Sequence, residues 1–419
     1  MDMSDEEVRK YDRVMELMRE AQKPETTRRL IELLSPKLVP GKRTLVYILN
    51  QVERIGQIAS ELAHIKTLYY RSYDQILIVT GPTNGPGVNP YVFEAVGSRF
   101  LRIETANPGM LAMGMLNGGL CSLENMDLLL VDPWNLASMF KNAVAKGKKT
   151  LPFELSPSVK QKGREWMRKV GMNMERPIVL LHVRDRGYLP ELSHHEYRCA
   201  DISNYRMAIN FLVSKGYQVV RIGDPSNPAI EADNSRIWDL PFHPEYINFL
   251  DVYFAAICRC ALVQSSGPAS ITGFFDKPML MVNRVLDWTI DFPNEVVIFK
   301  RHFNRSDGVE LSYQEILERG AAEIASTENL YEAGMLVEEN TPEELLRGVQ
   351  EFVDIIDGRK KPNPKIQARF KKLNQKHEKS LRQKSDNPEE KQPLFGLAYA
   401  KTMISESFVG QNPNFLGKL

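Results

Sequence analysis

The residues best suited to chemistry in this chain gather where apolar runs stop. Ile178 to Val183 reads as a buried strand and ends in the run His182-Val183-Arg184-Asp185-Arg186-Gly187-Tyr188, so two guanidinium groups lie at its carboxyl end. Arginine presents a rigid, permanently charged fork that matches phosphate oxygens and can neutralise a departing diphosphate without a metal ion. Asp185 adjoins both arginines, so the competing reading is an ion pair that ties the loop down. His182 alternates with Arg184 along the strand and shares its side, either as a partner for phosphate or hydroxyl or as a core histidine with its bonds satisfied.

A second anion site can be argued from Ser265-Ser266-Gly267-Pro268, which follows the strand-like run Ala261 to Gln264 and opens a helical pattern. Proline suits the first helical position, glycine lets a ligand approach the backbone, and a helix start carries unpaired N–H groups and a partial positive charge. Plain N-capping by Ser266 is the alternative. The run ending in Arg221-Ile222-Gly223-Asp224-Pro225 closes a third strand. There Asp224 reads either a base or ribose, or simply starts the turn before Pro225. Upstream, Arg198 and Asp201 either frame a nucleotide or pair with each other.

In the first half, Asn50 to Gln57 joins a strand to a helix, and Gly56 at that helix start permits close approach of a sugar or phosphate. A reaction that deprotonates a hydroxyl needs a carboxylate base, for which Glu53, Glu61 and Glu191 are the candidates. No Asp-x-Asp triplet is present to hold a cation on a diphosphate, and no metal ligand set is expected. Nor is there a G-x-S-x-G elbow, a Walker lysine loop or a G-x-G-x-x-G fingerprint.

The elements that must position these residues alternate. Arg43 to Leu49, Gln75 to Thr80 and Leu128 to Val131 read as buried strands, with helical spacing from Ile55 to Tyr70. Beyond a polar, Lys-rich stretch from Lys141 to Arg176 come strands at Ile178 to Val183, Tyr217 to Ile222, Ala261 to Gln264 and Pro278 to Asn283. Between them lie helices that start at Ser203 and end at Gly216, span Leu250 to Ile257, and include Ile271 to Phe275. Such apolar strands spaced by helices imply α/β architecture with parallel sheets covered on both faces. The expected organisation is two Rossmann-like domains facing a central cleft, 1–170 and 171–345, with a helix and basic polar tail at 346–419. At 419 residues the chain is long enough for two full cores.

Composition narrows the partners. Lys+Arg number 54 and Asp+Glu 53, so no global field draws the chain to nucleic acid. The four cysteines are few, and Cys258 and Cys260 sit in an apolar run as small hydrophobes, pointing to a reducing compartment. The charged N-terminus and the lack of a long apolar run argue against a signal peptide and a membrane span. The expectation is a cytoplasmic protein, or one at the inner face of the plasma membrane. The basic segment from Gly358 to Lys384 is either a solvated helix or an electrostatic foothold on anionic lipid.

Taken together, the runs His182 to Tyr188, Tyr197 to Ile202 and Gly216 to Pro225, the Ser265-Ser266-Gly267 turn and the ending Ile404-Ser405-Glu406-Ser407-Phe408 resemble a family of bacterial surface-polysaccharide glycosyltransferases of the GT-B type. The His-x-Arg element is also similar to the donor motif of fucosyltransferases. Where that family motif has a second arginine directly, this chain has Asp185 and then Arg186; where the bacterial family has a histidine after the first-loop glycine, it has Gln57. The resemblance implies inverting transfer of a sugar, without a cofactor, from a nucleotide-sugar donor, a guanosine diphosphate sugar being favoured, to a hydroxyl of a glycan or lipid-linked acceptor. It assigns Arg184 to the donor diphosphate. A nucleotide-sugar epimerase and a non-catalytic nucleotide-sugar-binding component of a polysaccharide assembly complex are the alternatives.

Overall fold

The computed structural model describes residues 5–85, 88–97, 99–185, 190–231, 234–286, 295–384 and 395–417. The chain forms two compact α/β units, Met1–Ser156 and Pro157–Leu419.

In the first unit, strands β1 (Thr44–Leu49), β2 (Gln75–Thr80), β3 (Phe100–Glu104), β4 (Gly119–Leu123) and β5 (Met126–Leu130) form one sheet in the order β3-β2-β1-β5-β4. β1 runs parallel to β2 and β5, and β3 parallel to β2, while β4 is antiparallel to β5. All residues of β1 and β2 are buried, which is why both read as unbroken apolar runs. β4 is exposed along its whole length, so it leaves no core pattern to find in the sequence. Two N-terminal helices, Asp5–Ala21 and Pro24–Leu34, were hidden by their charge. They lay Ala21, Leu30 and Leu34 against Val46, Ile48, Leu77 and Met113. Gly114 passes so close to β1 that an added Cβ would lie 2.5 Å from the Ile48 carbonyl oxygen.

The second unit holds β6 (Ile178–Leu181), β7 (Gln218–Arg221), β8 (Ile237–Asp239), β9 (Cys260–Val263), β10 (Met279–Arg284) and β11 (Glu295–Phe299). An antiparallel pair, β12 (Arg301–Asn304) and β13 (Met335–Glu338), stands apart, and β14 (Met403–Ile404) closes the list. The main sheet has the order β14-β11-β10-β9-β6-β7-β8, with every pairing parallel. From β6 the chain winds to one edge, and from β9 to the other, so the order reverses between these two neighbours. That reversal is where an open α/β sheet offers a crevice at its carboxyl ends.

The division of the chain departs from the expected 1–170, 171–345 and 346–419. The break falls at Ser156 because the helix Pro157–Lys169 packs on the helix Phe249–Ile257 of the second unit. Trp166 lies 5.8 Å from the Phe254 ring between centroids and donates Nε1–H to the Glu245 carbonyl at 2.8 Å. Nor is 346–419 separate, since β14 pairs with β11 and Gly348 of the helix Pro342–Ile356 abuts Ile298. The Ser405-Glu406-Ser407 run is a clasp: Glu351 accepts from Ser405 Oγ at 2.6 Å, Glu406 N at 3.0 Å and Ser407 N at 2.9 Å. Burial opposes the charge on Glu351, and these hydrogen bonds with that of Lys360 outweigh it, holding the carboxyl below its usual range. Cys258 and Cys260 are free and buried in the sheet region as small hydrophobes. No helix among the described residues is long and apolar enough to cross a membrane.

An added Cβ at Gly163 would fall 2.1 Å from a ring carbon of Tyr253, with two further ring atoms at 2.3 Å. Gly163→Ala is expected to destabilise the second unit by about 1–3 kcal/mol, and Gly163→Ala with Tyr253→Leu to recover part of that loss. Urea unfolding of the two variants checks this, and equal stability of Gly163→Ala and the parent chain would refute the packing argument.

Candidate functional site

At the switch point β6 and β9 part, and both chains must leave the sheet with their backbone groups satisfied. His182 N still donates to the Leu262 carbonyl at 3.1 Å. Beyond it the ladder ends and the fully buried side chain of Gln264 takes over. Its Oε1 accepts from Arg184 N at 2.5 Å, and its Nε2 donates to the Arg198 carbonyl at 3.4 Å. Ala200 N donates to the Arg184 carbonyl at 2.9 Å, and Asn227 Nδ2 to the Val183 carbonyl at 2.9 Å. The half-buried Arg184 side chain therefore leaves from a fixed backbone.

His182 and Ser266 meet beside the same strand ends. His182 Nδ1 is 3.1 Å from Ser266 Oγ, which donates to the Gln264 carbonyl at 3.0 Å. With the serine proton used in that way, Nδ1 carries the imidazole proton and Nε2 is left as an acceptor. Burial first, then the charges of Arg184 and Arg221, push the His182 pKa down to about 3, so the ring is neutral. Gly223 backs onto this ring with φ +122°, where a Cβ would lie 3.0 Å from His182 Cδ2 and 3.3 Å from Nε2. Both its conformation and the lack of room call for glycine there. Ser266 precedes the helix Gly267–Phe274, as the sequence suggests, yet makes no side-chain cap bond. Its hydroxyl belongs to the His182 and Gln264 contacts, and the helix start is not spent on it.

Positive charge accumulates around Cys199. Arg184 is held below its usual pKa by burial and then by the nearby Arg198, and among the described residues its buried Nε has no hydrogen-bond partner. Arg198 is buried and donates Nε–H to Tyr197 Oη at 2.9 Å. Lys300, also buried, donates from Nζ to the Cys199 carbonyl at 2.6 Å. Burial raises the Cys199 thiol above its ordinary pKa, with Arg184 and Lys300 opposing. Burial and the neighbouring Arg198 both weigh against the charge of Arg184, and an anion beside it would relieve that cost.

Several expected ligand groups are committed elsewhere. Arg221 is 1% exposed. Its guanidinium bonds Asp239 Oδ2 at 3.2 Å and the carbonyls of Pro228, Asp224 and Asn227 at 2.7, 3.4 and 3.3 Å. It braces the loop after β7 from inside, with both terminal nitrogens committed to protein acceptors. Asp224 accepts from Ser226 N at 2.9 Å, the turn-forming role. Asp201 accepts from Ser203 N at 2.8 Å and caps the short 3₁₀ turn Ile202–Tyr205, two residues before Ser203, the expected cap. Ser265 Oγ accepts from Arg284 Nη1 at 2.7 Å. Asp185 accepts from Ser226 Oγ at 2.8 Å on both oxygens, tying the loop after β6 to that after β7. Arg186 and the Glu191 side chain lie outside the described residues. The sequence reading missed Gln264, Asn227 and Lys300. Each is a polar residue just beyond an apolar run or in a turn, with no local signal that its partner is a distant backbone group.

In the first unit, Glu53 is exposed on the bend after β1, and Gly56 is half-buried in the first turn of the helix Ile55–Tyr69. That helix starts at Arg54 without a side-chain cap bond. Glu61 is 2% exposed inside the unit, with Oε2 accepting from Tyr47 Oη at 2.5 Å. Burial pushes its carboxyl up to about 7 against the hydrogen bonds from Tyr47 and Gln57. An accessible base at position 61 is therefore corrected to an interior acid, because its place on the helix faces Tyr47 on the sheet.

No protein-family model matches the chain, and no curated protein is detectably similar. Among solved structures it is similar to a glycosyl transferase family 9 protein from Veillonella parvula, with 10% identity, 62% of this chain and 86% of that chain covered, and a TM-score of 0.40. It is similar to E. coli ADP-heptose lps heptosyltransferase II at 12% identity, with 70% and 97% covered and a TM-score of 0.38. The iron-containing dodecameric glycosyltransferase TibC from enterotoxigenic E. coli matches at 11% identity, over 76% and 77%, with a TM-score of 0.38.

Two variants test these assignments. Glu61 keeps its proton to higher pH in the folded state than in the unfolded chain. Its contribution to stability is thus fully present below the unfolded value of 4.5 and is lost as pH rises through about 7. Glu61→Gln should remove that loss, on the order of 3 kcal/mol, when urea unfolding at about pH 5 and about pH 8 is compared with the parent chain. An unchanged pH dependence would refute it. Arg221→Met should cost about 3 kcal/mol of stability, because it strands Asp239 and three carbonyls. At a temperature where the variant is folded, ligand affinity at the second unit should stay within a few-fold, whereas a contact residue would lose more than ten-fold.

Proposed function

We propose that the second unit binds the diphosphate of a nucleotide-sugar, and that the chain transfers the sugar to a hydroxyl of a glycan or lipid-linked acceptor. The observation that carries this reading is the gathering of Arg184, Arg198 and Lys300 around Cys199 at the switch point, where the buried Nε of Arg184 has no hydrogen-bond partner among the described residues. A diphosphate is the anion that such a set suits. Arginine forks match its oxygens, and the Gly267–Phe274 helix start beside Ser266 adds backbone N–H groups and a favourable dipole.

In this reading Arg184 and the helix start stabilise the charge that grows on the leaving diphosphate, so that no divalent cation is required. Neutral His182, with Nε2 as acceptor, takes a hydrogen bond from a donor hydroxyl rather than a proton from the acceptor. Deprotonation of the acceptor falls to a carboxylate. Glu53 is the exposed candidate of the described pair, as Glu61 is sealed inside its unit. The attack of a deprotonated hydroxyl on the anomeric carbon gives inversion. The two α/β units are those of the GT-B type of glycosyltransferase in this proposal, which rests on the sites rather than on fold alone.

The test is a thermal-shift series with adenosine, guanosine, uridine, cytidine and thymidine diphosphates and their sugars, in the presence of a chelator. A rise in melting temperature selective for one base is expected, with Arg184→Ala weakening binding by about 10–100-fold. In a Cys121→Ser background the same nucleotide should slow thiol labelling of Cys199. No shift with any nucleotide, or protection that survives in Arg184→Ala, would overturn the donor site. Release of nucleoside diphosphate that depends on an added acceptor distinguishes transfer from binding alone.

A further inference from the structure

The basic segment from Gly358 to Lys384 divides in the structure. At its start the charges are answered from within the chain. Arg359 pairs with Asp354 at 2.8 Å and Asp357 at 2.7 Å, and Lys360 pairs with Glu351 at 2.9 Å and Glu406 at 3.0 Å. Further on, the helix Pro364–Lys384 seats Phe370, Leu373, Asn374 and Glu378 against the second unit. Glu378, the acid of that helix, is buried and bonded to Arg382 Nε at 2.8 Å, Phe395 N at 2.7 Å and Tyr399 Oη at 2.9 Å. Glu318 and Glu323, from neighbouring elements, act on His377, which lies on its seated side.

The opposite side is different. Lys365, Lys372, Lys376 and Lys379 are exposed, and their positions fall within about 60° of one another around the helix axis, over a length of about 21 Å. Among the described residues none of the four has an ion-pair partner, and the rest of the stripe is Ala368 and Gln383. We infer that this lysine face docks the chain on an anionic lipid surface. The chemistry favours a bilayer over a nucleic acid. A row of flexible point charges on a nearly straight helix matches a diffuse negative plane, whereas nucleic acid readers rely on arginine forks and aromatic platforms, which this face lacks. The inference stands on the helix alone and does not depend on the nucleotide site.

The experiment is co-sedimentation of the full chain with phosphatidylcholine vesicles, with and without about 30 mol% phosphatidylglycerol, in about 0.1 M salt. Binding is expected to the anionic vesicles only and to fall away in about 1 M salt. The variant Lys365→Gln, Lys372→Gln, Lys376→Gln and Lys379→Gln, which keeps helix propensity and leaves the seated side untouched, should lose roughly five-fold in partitioning per lysine, or two to three orders of magnitude together. Its melting temperature and its nucleotide-induced shift should match the parent chain, which separates this outcome from a failure of the donor site. Equal binding to neutral vesicles, undiminished binding by the variant, or tighter binding to poly(U) RNA than to the anionic vesicles would overturn the proposal.

Discussion

The buried amide of Gln264 is the contact on which the second unit's site depends. Where strand order reverses, neighbouring parallel strands diverge and their last backbone groups lose ladder partners inside the protein. Gln264 meets that demand on both sides, with Oε1 on Arg184 N and Nε2 toward the Arg198 carbonyl, while its own carbonyl takes the Ser266 hydroxyl. A buried donor left unmade costs about 1–3 kcal/mol, so an apolar residue would not simply be neutral here. Through this one residue the two arginines, by its side chain, and the serine, by its main-chain carbonyl, are set from a common origin. Ser266 then fixes the tautomer of His182, and His182 in turn requires glycine at 223. The arrangement is a chain of dependencies rather than a set of independent ligands.

Much of the framework could be read from the sequence, because parallel strands covered on both faces leave continuous apolar runs. Gln75 to Thr80 was placed at its observed bounds, and the strands ending near Leu49, Leu181, Arg221 and Val263 were placed to within a residue or two. The elements that escaped are those without a core to pattern them. β4 is exposed throughout, β8 is half-buried, and β14 has two residues whose pairing depends on β11 more than a hundred positions earlier. The fate of 346–419 could not be read for the same reason, since the clasp on Glu351 joins groups that no local window contains.

The site shows a sharper limit. Arg184 and Arg221 look alike in sequence, each at the end of an apolar strand with glycine and an acid nearby. What separates them is tertiary: carbonyls of 224, 227 and 228 curl back on the terminal nitrogens of Arg221 with Asp239, while among the described residues the buried Nε of Arg184 has no hydrogen-bond partner. Glu61 illustrates the converse. Its helix was legible, but the face it occupies is set by Tyr47 on the adjoining sheet. A residue type at a strand end indicates chemistry only when the surrounding backbone has no claim on it.

The close glycines differ in what stands against them, and this has an evolutionary reading. At Gly163 and Gly348 the obstructing atoms belong to side chains, the ring of Tyr253 and the tip of Ile298, so a larger residue at either place is tolerable if its neighbour shrinks. Related sequences should therefore show these positions drifting as covarying pairs. At Gly114 the obstruction is the Ile48 carbonyl, a part of the chain that every residue type shares. No substitution elsewhere can make that oxygen smaller. Position 114 should stay invariant while the pairs 163 with 253 and 348 with 298 wander together, a pattern that distinguishes backbone crowding from side-chain crowding in any alignment of chains with this fold.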